Sequence, residues 1–137
     1  MAEATLVEQR IEAGGGLLKE LDEAGFKVNS ALWFYAPDSD TWLLILASPV
    51  IDEKGPKEAY SSVQKVLANV SPTLPISLKE ISIISPEHEL IRLLRLAIRT
   101  GPGISGIRFS RNTINGVFIS DAYIYRVQGP ARTISDG

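Results

Sequence analysis

Apolar and polar positions along this chain repeat with two periods, and the changes of period mark out its elements. Between Thr5 and Ala24, Val7, Ile11, Gly14, Leu18 and Leu21 recur at intervals of four and three, which is helical spacing. Gly14, Gly15 and Gly16 interrupt this stretch, each at a cost of about 1 kcal/mol relative to alanine in a helix. The run predicts either a break in the helix or a backbone lying very close to a neighbour. Gly25 is expected to close the segment as a C-terminal cap. Ala31–Ala36 and Thr41–Ala47 are rich in aromatic and branched residues and flank Pro37-Asp38-Ser39-Asp40, a hairpin signal. A turn over those four residues sets Tyr35 opposite Trp42 and Trp33 opposite Leu44. One face then carries Trp33, Tyr35, Trp42, Leu44 and Leu46, and the other Leu32, Phe34, Leu43, Ile45 and Ala47. A hairpin apolar on both faces has to be covered on both, by helices or by another subunit.

Gly55-Pro56 opens a second helix with proline at its first position, and Tyr60, Val63, Val66, Leu67 and Val70 form its apolar stripe. Ser71–Pro75 reads as a loop and Leu78–Ile84 as a strand. A third helix is expected from Ser85, as N-cap, through Pro86 to about Arg99. Thr100–Ser105 reads as a turn. Gly106–Ile114 and Val117–Val127 then form a second hairpin around Asn115-Gly116, a preferred pair for a two-residue turn. The order α-ββ-α-β-α-ββ predicts an α+β fold: a mixed, largely antiparallel sheet of about five strands with three helices packed on it. Residues 1–127 are expected to form one domain and residues 128–137 a polar, flexible tail.

Composition narrows the chemistry. With 137 residues, 45% apolar and 22% charged, the chain suits one cored globular domain. It has no cysteine, which rules out disulfides and thiolate catalysis, and one histidine, His88. The start Met1-Ala2-Glu3-Ala4 has no signal-peptide character, and no apolar run reaches the roughly 18–20 residues of a membrane span. A cytoplasmic protein that does not engage a membrane is expected. Charge is unevenly distributed. Residues 1–90 hold seven Lys/Arg against fourteen Asp/Glu, a net −7, while residues 91–137 hold seven arginines against two aspartates, a net +5. The two parts either neutralise each other within the fold or leave an arginine surface for an anionic ligand, partner or nucleic acid.

Three short matches fail on geometry. Gly101-Pro102-Gly103-Ile104-Ser105-Gly106 has the letters of G-x-G-x-x-G, but a helix precedes it and a strand follows, the reverse of a dinucleotide-binding turn. Pro37-Asp38 with Asp52-Glu53-Lys54 resembles the PD-(D/E)xK signature of metal-dependent nucleases. The two halves flank a single strand, however, and ten extended residues span about 33 Å, too far to share one metal. The glycines at 14–16 lack the preceding strand and the G-x-x-x-x-G-K-[ST] spacing of a phosphate loop. A triad would have to use His88, whose plainer reading is an exposed imidazole. No metal and no cofactor is expected.

Two places remain. His88, Arg92, Arg95 and Arg99 share one face of the third helix, opposite Leu90, Leu93, Leu94, Ala97 and Ile98. They read as a solvated stripe suited to the helix dipole, or as a ridge for phosphates or an acidic partner. In the second hairpin, Ile107, Phe109, Phe118, Ala122 and Ile124 form a core face. Arg108, Ser110, Asn112, Asp121, Tyr123 and Tyr125 form a polar face, fit either for sheet pairing or for recognition. The resulting expectation is a non-enzymatic protein-interaction module that self-associates as a homo-oligomer, its partner being another protein or itself. The alternative is nucleic-acid or phosphorylated-ligand binding through Arg92, Arg95, Arg99, Arg108 and Arg111. A small hydrolase or nuclease using Asp121, Arg108 and Tyr123 is third.

Overall fold

The computed structural model describes residue 6, residues 8–70 and residues 74–129. Its elements are α1 (Glu8–Glu23), β1 (Ser30–Ala36), β2 (Thr41–Ala47), α2 (Val50–Lys54), α3 (Pro56–Asn69), β3 (Ile81–Ile84), α4 (Glu89–Arg95), β4 (Ile107–Ile114) and β5 (Val117–Val127). The strands form one five-stranded sheet in the order β3-β2-β1-β5-β4, antiparallel except where β3 runs parallel to β2. The fold is α+β, with the element order read from the sequence. The short α2 is an additional helix, separated from α3 by Gly55 at φ 89°. No described helix is long and apolar enough to cross a membrane. The expected tail falls mostly outside the described residues. Gln128 and Gly129, at its start, are bonded: Gln128 N donates to Asn29 O and Gly129 O accepts from Asn29 Nδ2.

The first hairpin pairs as its sequence dictates, with Tyr35 opposite Trp42 and Trp33 opposite Leu44. Both of its faces are covered by the chain's own helices. Trp33, Tyr35, Trp42, Leu44 and Leu46 are buried with Leu17, Leu18 and Leu21 of α1 and with Ala59 and Val63 of α3. Leu32, Ile45 and Ala47 are buried on the other side with Ile91 and Leu94 of α4. That second layer is thin, because α4 has only seven residues.

The glycine run does not break α1; it lets the helix approach the sheet. A Cβ on Gly14 would fall 2.7 Å from Trp33 Nε1 and overlap the Tyr125 hydroxyl. In the room this leaves, Trp33 Nε1 donates to Arg10 O and to Tyr125 Oη, and Tyr125 Oη donates to Ile11 O. Gly15 and Gly16 would make only ordinary contacts with a Cβ, so the close approach rests on Gly14. Burial pushes the Tyr125 phenol well above the usual tyrosine range, partly offset by its bond from Trp33.

Two expectations about the third helix change. Ser85 caps a preceding turn, accepting from Glu87 N, and α4 starts later: His88 is the N-cap, its Nδ1 accepting from Leu90 N at 3.1 Å. The helix stops at Arg95 rather than Arg99. The strand expected from Leu78 begins as a 3-10 turn over Leu78–Glu80, closed by a Ser77–Glu80 capping box, and becomes extended only at Ile81.

Candidate functional site

The second hairpin holds the predicted site residues, and its backbone decides where they point. The tight turn leaves Ile114 opposite Val117, and the pairs on either side of Arg111, down to Ile107–Ile124, keep that register. Side-chain alternation nevertheless breaks. Arg111 sits at φ 50°, a left-handed conformation that non-glycine residues rarely adopt. Beyond it Ile114 and Ile119 turn toward the α4 side and are buried there, whereas Tyr123 packs on the α1 side. Phe118, expected in the core, is instead 62% exposed. A second irregularity lies between Ala31 and Leu32, where β5 carries one extra residue against β1. With it Ile124 and Val127 both enter the α4-side core, and Tyr125 enters the α1-side core.

Arg108, Ser110, Asp121 and Tyr123 do come together, on the α1 side of this hairpin. Arg108 donates from Nε and Nη2 to the two Asp121 carboxylate oxygens at 2.8 and 2.7 Å, and its guanidinium lies 5.9 Å from the centre of the Trp42 ring. The bond to Asp121 raises the Arg108 pKa above its ordinary value, against the opposing effect of burial. This is a mutually neutralised fork, with the acid's acceptors committed to the base. Among the described residues no group of three His, Asp or Glu is placed to hold a metal ion. Asp38 precedes β2 and Asp52 follows it in α2, where Asp52 accepts from Ser85 Oγ at 2.9 Å. The glycines at 101–106 lead into β4.

Tyr125 is 2% exposed, so it belongs to the core rather than to the polar face. Arg95, read as part of a solvated stripe or ridge, is buried: Nε donates to Gln128 O at 2.8 Å and Nη2 to Asn29 Oδ1 at 3.1 Å. Burial lowers its pKa from the ordinary arginine value, Glu87 opposing and Arg99 and Arg92 adding. Arg126 is buried too, pairing with the Asp22 carboxylate and donating to Val28 O and Gly103 O. Arginine donors thus tie the last strand and its exit to α1, α4 and the 101–106 loop. Arg92, Arg99 and Arg111 remain exposed.

Sequence reasoning missed a different surface. The large apolar residues most exposed among those described are Leu96, Ile104, Val117 and Phe118, at 67, 46, 48 and 62%. All four follow α4 or lie on the second hairpin. Leu96 and Val117 share a groove of about 700 Å³ between α4 and the hairpin tip, with Glu89, Arg92, Leu93 and Asn115 also lining it. Glu89, Arg92 or Leu93, and Leu96 fall on one helical stripe, so the spacing was visible in the sequence. Its exposure was not, because Val117 and Asn115 reach it only through the hairpin. No known family model, curated protein or solved structure matches this chain.

Proposed function

We propose that this chain works as a non-enzymatic protein-interaction module whose contact surface is the groove between α4 and the tip of the β4–β5 hairpin. One observation carries the reading: Leu96 and Val117, both strongly exposed, line the same groove. Single exposed apolar side chains are ordinary, whereas contiguous ones rimmed by charge are typical of protein contacts. The first hairpin, whose two apolar faces pointed to a partner in the sequence, is covered by α1, α3 and α4 and leaves this groove as the better candidate.

The arginine reading loses support from the same geometry. Arg95 is buried and Arg108 is paired with Asp121, so the five arginines do not make one continuous cationic surface. Placing a photoreactive benzoylphenylalanine at Val117, and in a second variant at the exposed α3 residue Gln64, tests the proposal in living cells. Protein adducts from position 117 and not from 64 are expected. Equal yields from both positions, or adducts to nucleic acid alone, would overturn it.

A further inference from the structure

We infer that the occupant of this groove is a second copy of the same chain, docked about a two-fold axis; the inference rests on the contact surface just proposed. A two-fold interface brings a surface patch against itself, so the patch has to complement itself in shape and in charge. This one meets the charge condition. The groove between α4 and the hairpin tip is an open recess of about 700 Å³ with Leu93, Leu96 and Val117 in its lining. The lining also carries one acid and one base, Glu89 and Arg92, exposed on the same helical stripe. Among the described residues neither makes an ion pair; the salt bridges there are Arg10–Glu80, Arg108–Asp121 and Arg126–Asp22.

A two-fold axis passing between these two positions places Glu89 of each copy toward Arg92 of the other. Two equivalent pairs then form beside the apolar contact of Leu96 and Val117. A partner of one dominant charge would be matched by a groove of the opposite sign, and this groove is balanced. Like charges brought together across such a contact are strongly unfavourable. Symmetry doubles each error, because one substitution in the sequence enters the interface twice.

That doubling gives the test, made on the purified full chain by sedimentation equilibrium over a concentration series. The wild type is expected to be a dimer. Glu89→Arg and Arg92→Glu should each raise the dimer dissociation constant at least about tenfold, since each sets two like-charged pairs in place. Mixing these two variants should restore association as a heterodimer, and the double variant Glu89→Arg/Arg92→Glu should dimerise by itself. Leu96→Asp should be monomeric with an unchanged far-ultraviolet circular dichroism spectrum, since Leu96 contributes little buried area to the monomer. A monomeric wild type would overturn the two-fold pairing. If position 117 still cross-linked to another protein in cells, the contact surface itself would stand. A dimer indifferent to Glu89→Arg, Arg92→Glu and Leu96→Asp would overturn the placement of the axis on this groove.

Discussion

The two hairpins of this sheet differ in how far their sequences govern their surfaces. In β1–β2 alternation is unbroken, both faces are apolar, and both are covered by the chain's own helices. In β4–β5 the register is the same on either side of Arg111, but alternation fails there, and the distal half runs beyond the last residue paired with β1, Ala122. The first hairpin is committed inward and the second keeps apolar side chains outward. Strand pairing alone therefore does not separate a core hairpin from a candidate contact hairpin; what covers it does.

The widest separation between the two should appear in truncations. Trp33 is fully buried and its single indole N–H is shared between Arg10 O and Tyr125 Oη, so Trp33→Ala should cost about 4 kcal/mol, as large aromatic deletions in cores do. Phe118→Ala, on the exposed hairpin, should stay within about 0.5 kcal/mol. Urea denaturation measures both as shifts of the midpoint. Equal losses would mean that the second hairpin is as deeply packed as the first.

The glycine run sharpens the same contrast within one helix. Gly14→Ala should destabilise the protein by about 2 kcal/mol, because its Cβ overlaps two ordered aromatic groups and outweighs the gain in helix propensity. Gly15→Ala meets only Tyr125 Cε1, at 3.6 Å, and should stabilise by about 0.5–1 kcal/mol. Thermal melts of the two variants should move in opposite directions.

Tyr125 adds a pH signature to this contact. Its pKa is raised by burial, so above about pH 10 the unfolded chain gives up a proton that the folded chain keeps. Stability is therefore fully present below that pH and falls as pH rises, by at most about 1.4 kcal/mol per pH unit for this group. Tyr125→Phe, although less stable at neutral pH, should show a shallower alkaline slope in unfolding titrations.

The elements that were legible in the sequence are those whose signals are local. Pro37–Asp40 and Asn115-Gly116 set the two registers, and Gly55-Pro56 set the start of α3. What was not legible depends on conformation at single residues. Nothing in the letters around Arg111 announces a positive φ, and that angle turns Ile114 and Ile119 inward and leaves Phe118 outside. The extra residue in β5 likewise has no local signature, and it accompanies the burial of Tyr125. Arg95 was misread because its acceptors, Gln128 O and Asn29 Oδ1, are far away in the chain. Of the candidate polar face, the Arg108–Asp121 neighbourhood was predictable from register, whereas the groove beside α4 required the tertiary fold.

Arg111 is also the place to act on that irregularity. A left-handed conformation costs an ordinary residue about 1 kcal/mol and glycine almost nothing. Arg111→Gly should therefore stabilise the chain by up to about 1 kcal/mol, less the entropy glycine adds to the unfolded state. Arg111→Val, branched at Cβ, should lose stability and loosen the burial of Ile114 and Ile119. Amide exchange at Ile119 is the direct readout, slower in the glycine variant and faster in the valine one.

The smallest expected effect concerns the polar face. Arg108 and Asp121 make a bidentate pair, with side-chain exposures of 48 and 13%, so one partner is solvated and the other largely shielded. Solvent screening limits exposed pairs to about 0–1 kcal/mol, and good fork geometry favours the upper part of that range. A double-mutant cycle with Arg108→Met and Asp121→Asn should give a coupling of about 0.5–1 kcal/mol that shrinks on raising the salt concentration. Asp121→Asn alone should cost slightly more than the coupling, because it also leaves Arg108 held near Trp42 by stacking without its counter-charge. A coupling that small assigns the fork a structural role in holding β4 to β5. A coupling above about 2 kcal/mol that ignores salt would instead mean the pair is shielded from water, and the polar face would then have to be covered in solution.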